Sequence, residues 1–176
     1  GASLGLPPGL SEWTDAHALR AMLAHGHDMV GDVLLGDWAR ERFLAQTVTP
    51  ALGKADKAAA YVRLSLEASQ GDLPGSSAAG EQPKFMAWSL VDQAPCHVLV
   101  KFSEPEDSPV SERWRDLLLA EHLALQTLED QGLHASHTQV VDAGGQRFLE
   151  VVRFDRVGAL GRRGLISLAA LDAQFV

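Results

Sequence analysis

The stretch from residue 75 to residue 84 combines small residues, two hydroxyls and a lysine in a pattern suited to holding phosphate. It reads Gly-Ser-Ser-Ala-Ala-Gly-Glu-Gln-Pro-Lys, with Ser76 and Ser77 near its start and Lys84 at its end. So bare a backbone can approach a ligand closely, and its consecutive N–H groups can form a nest for an anion. The spacing matches neither the Walker A motif nor GxGxxG, and a plain surface turn could carry the same residues.

Two later segments could supply further parts of such a site. The segment 97–101 (HVLVK) has the composition of a β-strand and ends in Lys101, which would project one point charge from the sheet. A lysine there could equally protect a sheet edge. The segment 148–156 (FLEVVRFDR) is a strand followed by charged residues. Its backbone could hydrogen-bond a purine, or Asp155 and Arg156 could form a structural ion pair.

The elements that must position these residues include both helices and strands. Hydrophobic periodicity and turn residues predict helices near 15–25, 37–46, 54–69 and 111–130, and strands at 29–35, 85–90, 97–102, 138–141 and 147–152. The fold class is therefore α+β. We expect a small, mainly helical N-terminal subdomain (1–70), an antiparallel sheet domain with the long helix (71–156), and a connecting segment (157–176).

Apolar residues at helical spacing predict which helix faces are buried. In the first helix these are Ala18, Leu19, Met22 and Leu23. In the third they are Ala58, Tyr61, Val62, Leu64, Leu66 and Ala68. In the long helix they are Trp114, Leu117, Leu118, Leu119, His122, Leu123 and Leu125. We also expect core positions, with satisfied hydrogen bonds for the histidines, at Trp38, Trp88, Trp114, His97 and His122.

Composition excludes several classes of function. A net charge of −8 argues against a chain that grips nucleic acid over its whole surface. The single cysteine, Cys96, rules out a disulfide framework and a cysteine metal site, and a reducing compartment is expected. His25 and His27 could suggest a metal-dependent hydrolase, but a glycine separates them and a helix end is favoured, so no metal site is predicted. We expect a soluble cytoplasmic protein without a membrane span, and a fragment because the chain starts at Gly1.

In this order the segments resemble the HipA family of serine/threonine kinases, toxins of type II toxin–antitoxin pairs whose fold is distantly like that of protein kinases. The resemblance spans about residues 6–176 and is densest from 76 to 156. It rests on Gly80-x-Gln82-x-Lys84, Val98-Leu99-Val100-Lys101, Val152-Arg153-Phe154-Asp155-Arg156 and, on the long helix, Asp116-Leu117-Leu118-Leu119-Ala120-Glu121-His122. It implies a kinase-like N-lobe, with an antiparallel sheet, a glycine-rich loop and a long helix.

The resemblance also implies roles for individual residues. The loop would cover the ATP phosphates through Ser77, Ala78, Ala79, Gly80, Gln82 and Lys84. Lys101 would contact the α- and β-phosphates, held by a helix carboxylate, for which Glu121 is the candidate and Glu112 the competitor. The hinge and ribose positions would be Val152, Phe154 and Asp155. The autophosphorylated serine would be Ser77 or, next in order, Ser76.

The resemblance further implies what lies elsewhere. In the family, the aspartates that orient the attacking hydroxyl and bind Mg²⁺ lie in a second lobe, beyond the stretch that here is 165–172 (LISLAALD). We therefore expect a fragment, inactive alone, of a kinase that uses ATP and Mg²⁺ to phosphorylate a protein serine and its own loop. Expected partners are a protein substrate and an antitoxin, with DNA reached only through the antitoxin. The alternative is a non-catalytic, kinase-like scaffold or regulator.

Overall fold

The computed structural model describes residues 5–7, 10–70 and 82–175, and the chain divides into two compact units. One unit comprises Gly1–Thr49 with Phe154–Val176, and the other comprises Pro50–Arg153. In chain order the main elements are α1 (Asp15–His25), α2 (Asp37–Leu44), α3 (Lys54–Ser69), β1 (Lys84–Val91), β2 (Ala94–Phe102), α4 (Pro109–Asp130), β3 (Thr138–Ala143), β4 (Gln146–Val152), β5 (Arg156–Val157), β6 (Gly161–Arg162) and α5 (Leu168–Phe175). The protein is thus of the α+β class, and α3 belongs to the same unit as strands β1 to β4.

The unit from Pro50 to Arg153 is built on a four-stranded antiparallel sheet in the order β1-β2-β4-β3. Two-residue turns join β1 to β2 and β3 to β4. Asp92 and Gln93 both have positive φ (47° and 68°), as do Gly144 and Gly145 (57° and 75°). This is the backbone of a type I′ turn, whose twist matches that of the flanking strands. The predicted strands at 85–90 and 97–102 form one antiparallel hairpin, and those at 138–141 and 147–152 form a second.

One face of the sheet forms the core with α3. Four aromatic rings meet there, with centroids 5.3 to 6.5 Å apart: Tyr61, Phe85, Phe102 and Phe148. All four are at most 1% exposed, so their burial supplies much of the hydrophobic stabilisation of this unit. The predicted helix at 54–69 is confirmed with these bounds. Its buried face follows Lys57, Tyr61, Ser65 and Ala68, which leaves the predicted core residue Leu66 60% exposed.

Helix α4 covers the other face of the sheet. It begins at Pro109, where the missing N–H of proline costs nothing, and the Ser108 hydroxyl accepts the Ser111 N–H at 3.1 Å as an N-cap. It ends just before Gly132, whose φ of 74° suits the turn that follows a helix. Only one side of α4 meets the sheet. Leu118 is buried, but three of the leucines predicted to be buried are 36–52% exposed: Leu117, Leu119 and Leu123.

The other unit contains α1, α2, α5 and the β5–β6 hairpin. The predicted strand at 29–35 is wrong, because the chain bends at residues 30–32, where Gly31 has a φ of 81°, and again at Gly36 (φ 83°), with no regular structure between. Its main chain serves instead as a hydrogen-bonding surface: Arg156 donates to the carbonyls of Met29 at 2.7 Å and Gly31 at 3.0 Å. A strand pattern of apolar residues was present, but the two glycines and the arginine impose a turn.

Several burial predictions in the same unit are also wrong. Helix α1 has the predicted bounds but buries no residue completely, and the exposed members of its predicted inner face are Leu19, Met22 and Leu23. Trp38 is 49% exposed rather than part of a core. It contributes instead to a surface cluster, with Arg42 5.0 Å from its ring centroid and the His27 ring packed edge-on at 6.2 Å. Among the described residues, no helix has the length and apolar character needed to cross a membrane.

Candidate functional site

The structure brings Lys101 of β2 and Glu121 of α4 into direct contact. The Lys101 Nζ atom lies 2.7 Å from Oε1 and 2.8 Å from Oε2 of Glu121. The two side chains are 23% and 33% exposed, so the pair is neither buried nor fully solvated. Glu112, the competing carboxylate, lies in the first turn of α4 and pairs with Arg115 at 2.7 Å. A lysine ammonium held by both oxygens of one carboxylate is fixed in position while its third N–H remains available for an anion.

Helix α4 is tied to the sheet on either side of Glu121. The next residue, His122, makes a hydrogen bond of 2.8 Å through Nδ1 to the buried hydroxyl of Thr138 at the start of β3. Toward the start of the helix, Arg115 donates to the carbonyl of Gly145 at 3.1 Å. Toward its end, Glu129 lies 3.3 Å from His137. These contacts fix the distance of Glu121 from the sheet.

The face that carries Lys101 continues as a mixed row across β1 and β2. Side chains alternate between faces along a strand, and the register pairs Lys84 with Lys101, Met86 with Leu99 and Trp88 with His97. All six therefore share one face. The rings of Trp88 and His97 lie 4.6 Å apart, and both residues are half-buried rather than in the core. The row thus runs from two lysines at one end, over apolar side chains, to a stacked aromatic pair at the other.

Strand β4 leads toward the predicted hinge. The Val152 N–H donates to the His137 carbonyl and the Arg153 N–H to the His97 carbonyl, each at 2.9 Å. These two amides are therefore used within the sheet. Phe154 follows and is 59% exposed. The contact of Val152 and Phe154 with a base stays a prediction.

Asp155 has a structural role. Its carboxylate is buried and accepts hydrogen bonds from the Gly31 N–H at 2.9 Å and from Arg156 at 2.7 Å. Arg156 also reaches Asp28 at 2.7 Å, so the three side chains join β5 to the bend after α1. This is the structural ion pair that the sequence left open. The proposed contact of Asp155 with a ribose stays a prediction.

Five of the predicted loop residues, from Ser76 to Gly80, lie outside the described residues, whereas Gln82 and Lys84 are described. His25 ends α1, and His27 lies in a short 3-10 turn after it. Partial burial lowers the pKa of His27, and the nearby charge of Arg42 lowers it further. Across the described ranges, no three His, Cys, Asp or Glu side chains are grouped so that they could bind a metal ion.

Sequence reasoning placed Tyr61 in the core but missed the polar cluster that it forms on the opposite face of the sheet. Lys57 and Tyr61 of α3 meet the fully buried Glu150 of β4. The available signal was a glutamate inside the apolar run 148–152 (FLEVV), together with a lysine and a tyrosine one helical turn apart. A charge within a core strand requires a partner, because burying an unpaired carboxylate is very costly.

Comparison with known proteins finds similarity over the whole chain. Residues 76–174 match the family described as HipA-like C-terminal domain, and residues 1–44 match the family described as YjjJ-like toxin, middle domain. The chain is 36% identical over 176 residues to a protein of Escherichia coli (strain K12) named Toxin YjjJ. The alignment covers 99% of this chain but 40% of that relative, so the chain spans about two fifths of its length.

Proposed function

Because this chain belongs to the HipA-like toxin family, we propose that it is the nucleotide-covering part of an ATP-dependent serine/threonine protein kinase that acts as a toxin. The observation that carries the proposal is the contact between Lys101 on a strand and Glu121 on the helix packed over it. Phosphoryl transfer depends mainly on positioning and on neutralising phosphate charge, and a strand lysine paired with a helix glutamate serves that purpose in protein kinases.

The face around Lys101 has the chemistry to accept a nucleoside triphosphate. Two lysines, Lys84 and Lys101, lie opposite each other where phosphates would bind, and Met86 and Leu99 offer an apolar surface next to them. From Lys101 to His97 the strand extends roughly 13 Å, at about 3.3 Å per residue, which is the scale of an extended nucleotide. ATP would supply the transferable γ-phosphoryl group. Its proposed contacts in this unit are Gln82, Lys84, Lys101 and the backbone near Val152, and the residues from Ser77 to Gly80 are proposed to bind the phosphates.

Mg²⁺ is the expected cofactor of such a reaction, but the described residues do not provide its site. They contain no suitable group of acidic side chains, and the carboxylates of Glu121 and Asp155 are bound to basic partners. An antitoxin protein is the proposed partner of the toxin, with DNA reached only through it.

Phosphorylation of the loop serine, Ser77 or Ser76, would inactivate the enzyme. A phosphoserine adds a charge of about −2 in a loop that has to receive the negative phosphates of ATP. Like charges would repel, so the modified loop should leave the nucleotide site. A Ser77→Asp variant of the full-length protein is expected to lose most of its activity, and full activity would contradict the proposed role of this loop.

The proposed function is tested by intact-mass measurement of the full-length protein after incubation with Mg-ATP. Wild-type protein should gain the mass of one phosphoryl group, and peptide mapping should assign it to Ser77 or Ser76. Lys101→Met should gain nothing, whereas the matched control Lys54→Met, an exposed lysine at the start of α3, should behave as wild type. No gain in any variant, together with no ATP binding, would refute the kinase proposal and favour a non-catalytic scaffold.

A further inference from the structure

A buried ionic cluster lies on the face of the sheet opposite Lys101. Lys57 Nζ is 2.8 Å from Oε1 and 3.0 Å from Oε2 of Glu150, and it also donates to the Leu90 carbonyl at 2.7 Å. The Tyr61 hydroxyl donates to Glu150 Oε1, and the Ser89 hydroxyl lies 3.1 Å from that of Tyr61. Glu150 and Ser89 are 0% exposed. Each charge in the cluster therefore has its partner inside the protein.

The cluster is a costly way to stabilise a sheet. Desolvation of two charges offsets most of their attraction, and apolar side chains of similar volume often stabilise a core equally well. Hydrogen bonds are directional, however, so a satisfied polar network specifies one arrangement of the groups it joins. Burial raises the pKa of Tyr61 far above its ordinary value, and the bond to Glu150 raises it further, so the phenol remains a donor. The directional hydrogen bonds of the cluster therefore favour a single geometry.

The residues that it joins are not neighbours in the sheet. Leu90 and Ser89 belong to β1, Glu150 belongs to β4, and β2 lies between these two strands. The contacts from α3 therefore span β2 and connect two strands that share no backbone hydrogen bonds. Strand β1 begins at Lys84, a proposed phosphate contact, and β4 ends at Val152, which is proposed to meet the base.

We propose that Lys57, Tyr61 and Glu150 are positioning residues for the nucleotide site. From the sheet face opposite Lys101, they hold β1 and β4 at a fixed separation. The phosphate end and the base end of one nucleotide can then be bound at the same time. None of the three touches the ligand face, because Glu150 is paired in register with Val100, whose side chain faces away from that of Lys101. This inference rests on the proposed function, to which it adds the means by which the two ends of the site are aligned.

Two variants of the full-length protein test the inference. Lys57→Met/Glu150→Gln removes both charges together and so leaves neither buried alone, whereas Tyr61→Phe removes one hydroxyl and keeps the ion pair. The matched control is Ala68→Gly, which loosens a buried position of α3 that has no part in the cluster. The affinity for Mg-ATP is measured by calorimetry well below the Tm of every variant. Hydrogen exchange of residues 84–91 and 146–154 is followed in parallel.

The double variant should bind Mg-ATP about tenfold more weakly and Tyr61→Phe about threefold more weakly, with faster exchange in both segments. Ala68→Gly should lower Tm while its affinity stays that of wild type. Unchanged affinity in Tyr61→Phe and in the double variant would overturn this inference but leave the proposed function standing. If the double variant does not fold, Tyr61→Phe decides the matter. Wild-type protein that binds no ATP would overturn the proposed function and this inference with it.

Discussion

Replacing Glu121 by glutamine should separate stability from activity. The substitution keeps the shape of the side chain but removes the charge that faces Lys101 across 2.7 Å. Because both side chains are partly exposed, at 23% and 33%, the ion pair contributes only about 0.2–1 kcal/mol to folding. The expected loss in Tm is therefore a few degrees.

The expected loss in activity is much larger. A lysine displaced by about 1 Å from the phosphates it must contact can cost on the order of 100-fold in rate. That factor corresponds to about 2.7 kcal/mol of transition-state stabilisation, well above the loss in folding free energy. Because nearly all of the Glu121→Gln protein would still be folded, unfolding could not account for the effect.

The assay is autophosphorylation of the full-length protein under Mg-ATP, as kcat/KM, beside a thermal melt. The matched control is Glu112→Gln on the same helix, which breaks the exposed pair with Arg115 and should leave kcat/KM unchanged. The charge swap Lys101→Glu/Glu121→Lys should recover stability without activity, since the cation would then lie on the helix. Glu121→Gln protein with wild-type kcat/KM would refute the reasoning, and so would an equal loss of activity in Glu112→Gln.

Three further changes have defined outcomes. Because the pKa of His27 is lowered in the folded state, its contribution to stability is complete above pH 6.5 and is lost as the pH falls below that value. The variant His27→Gln should therefore show a smaller decrease of Tm on acidification. Thermal melts between about pH 7 and about pH 5 measure this. Gln93→Gly should raise the free energy of unfolding by about 1 kcal/mol, because a non-glycine residue with φ of 68° is strained; urea denaturation measures this. Gly144→Ala should destabilise by about 1 kcal/mol or more, because its φ is 57° and a Cβ would lie 2.8 Å from Val62; an unchanged urea midpoint would contradict it.

The sequence predicted those elements whose pattern is local. The two hairpins and the helices α3 and α4 follow from alternation, helical periodicity and turn residues, and the structure contains them. The strand prediction at 29–35 failed, since the conformation of this segment depends on long-range contacts with Arg156, 125 and 127 positions away in the chain. The burial of the long helix was also overestimated, because periodicity reports an apolar stripe but not how much of it the sheet can cover.

In the candidate site, too, the sequence indicated the residue types, whereas the contacts between distant segments appear only in the structure. The family resemblance pointed to both Glu121 and Glu112, and only the packing of α4 on the sheet shows which carboxylate reaches Lys101. Glu150 was passed over, since a single glutamate in an apolar strand looks like an edge residue until its partners on α3 are known. Pairings between distant segments cannot be read from spacing along one chain.

The two helices hold the sheet by different physical means, and this bears on how function could be altered without loss of the fold. Helix α3 packs against the buried aromatic cluster and the Lys57–Glu150 pair, so changes there act first on stability. Helix α4 buries Leu118, but its contact with Lys101 is a partly exposed ion pair through Glu121, which contributes little to folding. Substitution at Glu121 should therefore change activity by more free energy than it changes stability. At Lys57 alone the order should be reversed, because its loss leaves the Glu150 charge buried without a partner.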